Sequence, residues 1–149
     1  MAKSFKEVFS KRLRAAADAA LYATAVKTVE ELQRIGPYWD GYLYNAWDCV
    51  VGDVNIPADQ QGERSFGERG TKPPPDASFV PPADSTKGYT IGNRMEYRRV
   101  AMDLEPGRIK GGGNETAPQD WYTNYFEGGE VIKIVGKAAN AGFKRGFGR

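Results

Sequence analysis

Apolar residues return every three or four positions over the first quarter of the chain. Phe5, Phe9, Leu13, Ala16 and Ala20 begin a stripe that Leu21, Ala25, Val29 and Leu32 carry onward, which is the spacing of one face of an α-helix. Ser4 with Glu7 three residues later has the form of a capping box, each side chain taking up a backbone amide of the other. The alanine-rich run from Ala15 to Ala25 favours helix and lets a second backbone approach closely. Gly36-Pro37 stops the pattern, because proline lacks the backbone donor and disfavours helix in the residue before it. A helix over residues 4–35 would be about 45 Å long. That exceeds what so small a domain covers, so the helix is expected to break or, preferably, to pack in part against another subunit.

The pattern then changes period. Asp40-Gly41 offers the left-handed backbone of a turn, Tyr42 to Ala46 reads as a short helical turn, and from Trp47 the sequence alternates: Trp47, Cys49 and Val51 fall on one side of a half-buried strand. From Ile56 to Lys87 prolines and glycines interrupt every periodicity, which predicts a long loop or extended hairpin anchored by Phe66, Phe79 and Val80. Deleting residues 58–85 is accordingly expected to leave a folded subunit that fails to assemble. Tyr89-Thr90-Ile91 reads as a second strand, ending at Gly92-Asn93. Tyr97, Val100, Ala101 and Leu104 mark a short middle helix, and residues 107–115 a flexible segment. Thr116 with Gln119 suggests a capping box for a final helix through Trp121, Tyr125, Ile132, Val135 and Ala139, weakened by Gly128-Gly129; a strand over 131–135 is the alternative. The sum is one α+β domain over residues 1–149. A long N-terminal helix packs on a small antiparallel sheet, with a short middle helix, a C-terminal helix and the irregular 56–87 segment.

Composition narrows the chemistry. The 149 residues carry 21 basic and 19 acidic side chains, three tryptophans and no histidine. The commonest general base and metal ligand is therefore missing, and the single cysteine, Cys49, excludes a thiolate zinc site and reads as a buried structural thiol. Gly111-Gly112-Gly113 lacks the lysine and hydroxyl residue of a phosphate loop. Glu96, Asp103 and Glu105, interleaved with Arg94, Arg98 and Arg99, read as a solvated charged face. No enzyme activity, cofactor or metal is expected, and no segment reads as a signal peptide or membrane span. The basic termini, including the ending GFKRGFGR, match phosphate contacts in part. The ending is expected rather to order against a neighbouring subunit.

Taken in order, GPYWDGYLYNAWDCVVGD after a long helix, then YTIGNRMEYRRVAMDLEPG, then APQDW opening a last helix, resemble the neck or tail-completion proteins of tailed bacteriophages of the lambdoid siphophage type. Pro37, Gly41 and Trp47 stand at that family's proline, turn-glycine and tryptophan positions. Asn93, Tyr97, Glu105 and Gly107 stand in its strand, tyrosine-bearing helix and Leu-Glu-x-Gly segment. The likeness covers most of the chain except residues 56–87. It implies a structural virion protein, assembled in the host cytoplasm, that forms a ring of six or twelve subunits joining head to tail. Its expected partners are further copies of itself, head-completion or adaptor proteins, and tail terminator or tail tube proteins. DNA would pass through the lumen without sequence-specific binding, and no membrane would be involved. Two alternatives stay open: a tail terminator from the same region of the virion, and a DNA-binding accessory protein using its basic ends.

Overall fold

A computed structural model of the chain describes residues 4–38, 41–59, 71–96, 98 and 121–148. Helix α1 (Phe5–Ile35) runs unbroken. Its start is the capping box read from the sequence: the Ser4 amide donates to Glu7 Oε2 at 3.0 Å and the Glu7 amide to Ser4 Oγ at 3.3 Å. Its end is closed twice over. The Gly36 amide donates to the Leu32 carbonyl at 3.0 Å, and Lys72 Nζ donates to the carbonyls of Arg34 and Gly36 at 2.6 Å each. A lysine there satisfies carbonyls that have no partner within the helix and sits at the negative end of its dipole. Burial, then the neighbouring Arg34 guanidinium, brings the Lys72 amine down to about 8.

After the buried Pro37, Gly41 takes up φ 91° as the N-cap of the short helix α2 (Tyr42–Asn45), the left-handed geometry that glycine adopts without the cost of a Cβ. Strand β1 (Trp47–Val51) follows and pairs antiparallel with β2 (Tyr89–Asn93), Trp47 opposite Asn93, Cys49 opposite Ile91 and Val51 opposite Tyr89. Trp47 and Cys49 are buried, as the alternation requires. The expected middle helix around Tyr97–Leu104, the 107–115 segment and the Thr116–Gln119 capping box lie outside the described residues.

The C-terminal part begins at Trp121. A π-helical turn (Thr123–Glu127) is closed by the Gly128 amide on the Thr123 carbonyl at 2.8 Å. Gly129 at φ 82° then resets the chain, and α3 (Glu130–Phe147) runs antiparallel to α1. The two glycines thus separate two helical segments, and residues 131–135 are helix rather than strand. Along the crossing, Gly142 lies against Ala19 and Ala23, and Gly146 against Ala15, Ala16 and Ala19. Residues 142–147 of the ending GFKRGFGR, expected to order on a neighbour, are helical and pack on α1 of the same chain. Glycines four residues apart allow it, because they face a run of alanines at the same spacing.

Three apolar clusters hold these elements together. Ala25 and Val29 of α1 meet Cys49, Ala77 and Val80; Leu32 meets Trp47 and Trp121; Leu43 and Ala46 meet Met95. Residues 71–87 are therefore more than a free loop. From Lys72 at the C-terminal end of α1 they run back along the helix, the Asp76 amide donating to Gln33 Oε1 at 2.7 Å and the Ser85 amide to Asp18 Oδ1 at 2.8 Å. Val80 is an anchor as expected, Ala77 is a second, and Phe79 is exposed; Phe66 lies outside the described residues. Deleting 58–85 would strip the core from one side of α1, so the expectation of a folded deletion product is corrected.

Candidate assembly surfaces

The four motif residues that fall in the described part do architectural work. Pro37 and Gly41 set the reversal between α1 and the sheet. Trp47 lies between Leu32 and Trp121, fixing α1 to the sheet and to the C-terminal segment at one point. Asn93 is 1% exposed; its Nδ2 donates to the Leu43 carbonyl at 2.8 Å and its Oδ1 accepts from the Met95 amide at 3.0 Å. A buried amide with both ends satisfied stabilises a unique geometry, and one left open would be costly. Tyr97, Glu105 and Gly107 lie outside the described residues.

Arg94 and Arg98 depart from the solvated face expected of them. Arg94 bridges Asp48 at 3.0 Å and Asp59 at 2.7 Å, while Arg98 Nη1 donates to the carbonyls of Ile56 and Asn93. Both arginines hold the irregular segment following β1 onto the sheet. An open groove of about 470 Å³ lies beside it, lined by Trp47, Val54, Ile56, Ile91, Arg98 and Tyr122 among others. Cys49 faces the core, and burial followed by the Asp48 carboxylate pushes its thiol up to about 11, the behaviour of a structural thiol rather than a nucleophile. Among the described residues, no three histidine, cysteine or acidic side chains converge as a metal set. No described helix is long and apolar enough to cross a membrane.

One ionic cluster ties α1 to the C-terminal segment. Glu31 is buried, with Arg34 Nη2 at 2.6 Å and Lys27 Nζ at 3.4 Å. Tyr125 Oη donates to the same carboxylate and accepts from Arg34 Nη2 at 2.9 Å. Burial alone raises the Glu31 carboxyl; the hydrogen bonds from Arg34 and Tyr125 outweigh it and hold the group below its ordinary range.

The feature that the monomer leaves unexplained is the first third of α1. Residues 4–15 are all exposed, although they carry the apolar stripe that the sequence would bury. Phe5 is 84% exposed, Phe9 46% and Leu13 44%. Phe5 stacks on Phe9 at 6.0 Å, Phe9 meets Phe147 edge-on at 6.2 Å, and Phe147 stacks on Phe143 at 6.0 Å. A row of rings thus runs across the open end of the helical pair, and the same helix ends carry Lys6, Lys11, Arg12, Arg14, Lys144 and Arg145. Periodicity located this stripe, and its exposure agrees with the expectation that so long a helix exceeds what one small domain covers; period alone does not say in which chain a covering element lies.

The described residues define a small α+β fold with a built core and an exposed helix end. No protein-family model matches the chain, and no curated protein or solved structure matches it.

Proposed function

We propose that this chain is a structural subunit of the neck of a tailed bacteriophage, forming a closed ring of six or twelve copies between head and tail around the DNA channel. The observation that carries the reading is the α1 end: three turns of helix with an apolar stripe that the subunit itself does not bury. A head-to-tail ring needs two different complementary patches on each copy, and an unburied stripe of this kind is one such patch. The order of sequence elements supports the same reading, with Pro37, Gly41, Trp47 and Asn93 as the framework of the subunit. Further neighbours in the assembly would be head-completion or adaptor proteins on one side and tail terminator or tail tube proteins on the other.

The test is the mass and symmetry of the full chain at high concentration, alone and with a candidate connector or tail partner, by light scattering and negative-stain microscopy. A closed ring is expected. A chain that stays monomeric in both settings overturns the proposal. The basic helix ends favour the second reading, a DNA-binding accessory protein. Tight duplex binding by the monomer that weakens steeply with salt would select it.

A further inference from the structure

We infer that the uncovered end of α1 is covered by a second copy of this chain. The exposed stripe of one subunit would dock on the acidic flank of the next, where residues 76–87 lie along α1. The inference deepens the ring reading and rests on it.

Area is the first argument. Phe5, Val8, Phe9 and Leu13, with Phe143 at 38% exposed, leave uncovered apolar side chain on the order of 450 Å² if a whole phenylalanine presents about 200 Å². A patch of that size falls within the range of the largest apolar patch on a soluble monomer, about 300–600 Å², and such patches are often functional. It is also more than half of the roughly 800 Å² that each partner contributes to a stable interface. Scattered exposed apolar residues need no partner; a continuous stripe joined by ring contacts does.

Charge decides which partner. Residues 1–16 and 132–149 together carry ten lysines and arginines against one carboxylate, Glu7, whereas residues 17–131 carry eleven against eighteen. The chain is therefore polarised, basic where the stripe is and acidic elsewhere. Two stripes facing each other would bring like charge together, which opposes a symmetric dimer through this face. A stripe placed on the acidic part of another copy joins opposite charge, and repeating that contact closes a ring.

The acidic part offers a matching surface. The Ser85 amide on Asp18 brings Asp84, which pairs with Lys87 at 3.5 Å, beside Asp18; Tyr22, one turn further along α1, and Phe79 of the 76–87 segment are exposed. Carboxylates around exposed rings are the counterpart of basic side chains around exposed rings. Covering this flank would bury Phe79, which among the described residues is the sequence-expected anchor left in solvent.

The experiment mixes two full-length variants. One carries Phe9→Cys and the other Phe79→Cys, both with Cys49→Ser, and a short bismaleimide links cysteines held close together. Cross-linking between position 9 of one copy and position 79 of the other is expected, at least tenfold more than between two copies of either variant. Phe5→Glu with Phe9→Glu should abolish assembly while leaving the helical circular dichroism intact, since neither side chain is in a core cluster. If the wild-type chain assembles but 9-to-79 linking is absent, or 9-to-9 linking dominates, this docking is overturned and the ring reading stands. If the wild-type chain is monomeric throughout, both fall. Retained mass in Phe5→Glu/Phe9→Glu with loss of duplex DNA binding would assign the stripe to nucleic acid and also overturn the inference.

Discussion

Substituting alanine for single glycines of α3 separates helix propensity from helix packing. In the interior of a helix, glycine to alanine contributes about 1 kcal/mol of stability through propensity alone. Gly136 is open, with no atom within 4 Å of where a Cβ would stand, so Gly136→Ala should stabilise the subunit by about that amount. At Gly142 a Cβ would meet the Ala19 carbonyl oxygen at 2.5 Å and the Ala23 Cβ at 2.9 Å. Comfortable contacts are about 3.5–4.0 Å, so α1 and α3 must separate by roughly 1 Å or the helix must shift. Overpacking of this kind costs about 1–3 kcal/mol. The two effects oppose each other, leaving Gly142→Ala between neutral and about 2 kcal/mol destabilised. The difference between the variants isolates packing, because the propensity gain is common to both. Urea denaturation followed by helical circular dichroism measures it, at concentrations where light scattering gives the same mass for both variants, since assembly adds its own stability. Equal stabilisation by the two substitutions would refute the close helix crossing on which the placement of α3 rests.

Three further outcomes test other parts of the structure. Trp47→Ala removes the ring between Leu32 and Trp121 and should cost about 3–5 kcal/mol in denaturant; an intact, equally stable fold that has lost only assembly would make Trp47 an interface residue instead. The Glu31 carboxyl is held below its ordinary value of 4.5, so the folded state binds fewer protons than the unfolded one in that range. Its stabilisation is complete above about pH 4.5 and is lost as pH falls through the lower folded value. Glu31→Gln should remove that step from the acid limb of a stability-against-pH curve, and an unchanged limb would count against the ionic cluster. With its thiol buried and raised to about 11, Cys49 should resist iodoacetamide at pH 8 in the native chain and react on unfolding in urea. Rapid native labelling would show that the β1 face is open.

What was legible in the sequence is what short-range chemistry decides. The Ser4–Glu7 box, the stop at Gly36-Pro37 and the turn at Gly41 each depend on residues within a few positions, and each stands where expected. The strands were legible because alternation from Trp47 and the glycine-bounded run from Tyr89 encode which side faces the core. The role of residues 71–87 was not legible. Their contacts with α1 rest on Ala77, Val80 and Lys72, which are sparse and lack period among the prolines, and the partners lie tens of residues away. The arginines at 94 and 98 failed for the same reason, since Asp48, Asp59 and the Ile56 carbonyl come from β1 and the segment after it, tens of residues away. The Gly142 and Gly146 seam had a readable signal, small residues at i and i+4 facing alanines at the same spacing. That signal fixes a close helix crossing but does not say in which chain the facing helix lies.

The two halves of α1 therefore have separable roles. From Ala16 to Gln33 the helix holds the buried positions Ala16, Ala25, Val29, Glu31, Leu32 and Gln33, which meet the sheet, the 71–87 segment and α3. Among the described residues, the end of α3 alone lies beside the helix from Phe5 to Ala15, and this part persists because extending an existing helix avoids the cost of nucleating a new one. The isolated chain gains little from Phe5, which is 84% exposed, so its truncation should leave unfolding nearly unchanged, within about 0.5 kcal/mol as for ordinary surface positions; Phe9 and Leu13 are about half covered, and their truncation should cost more. Truncation at Val29 or Leu32 opens the core and must lower stability and assembly together. In the proposed ring the core part of α1 governs folding and its exposed end serves association, which places the two classes of variant at opposite ends of one element.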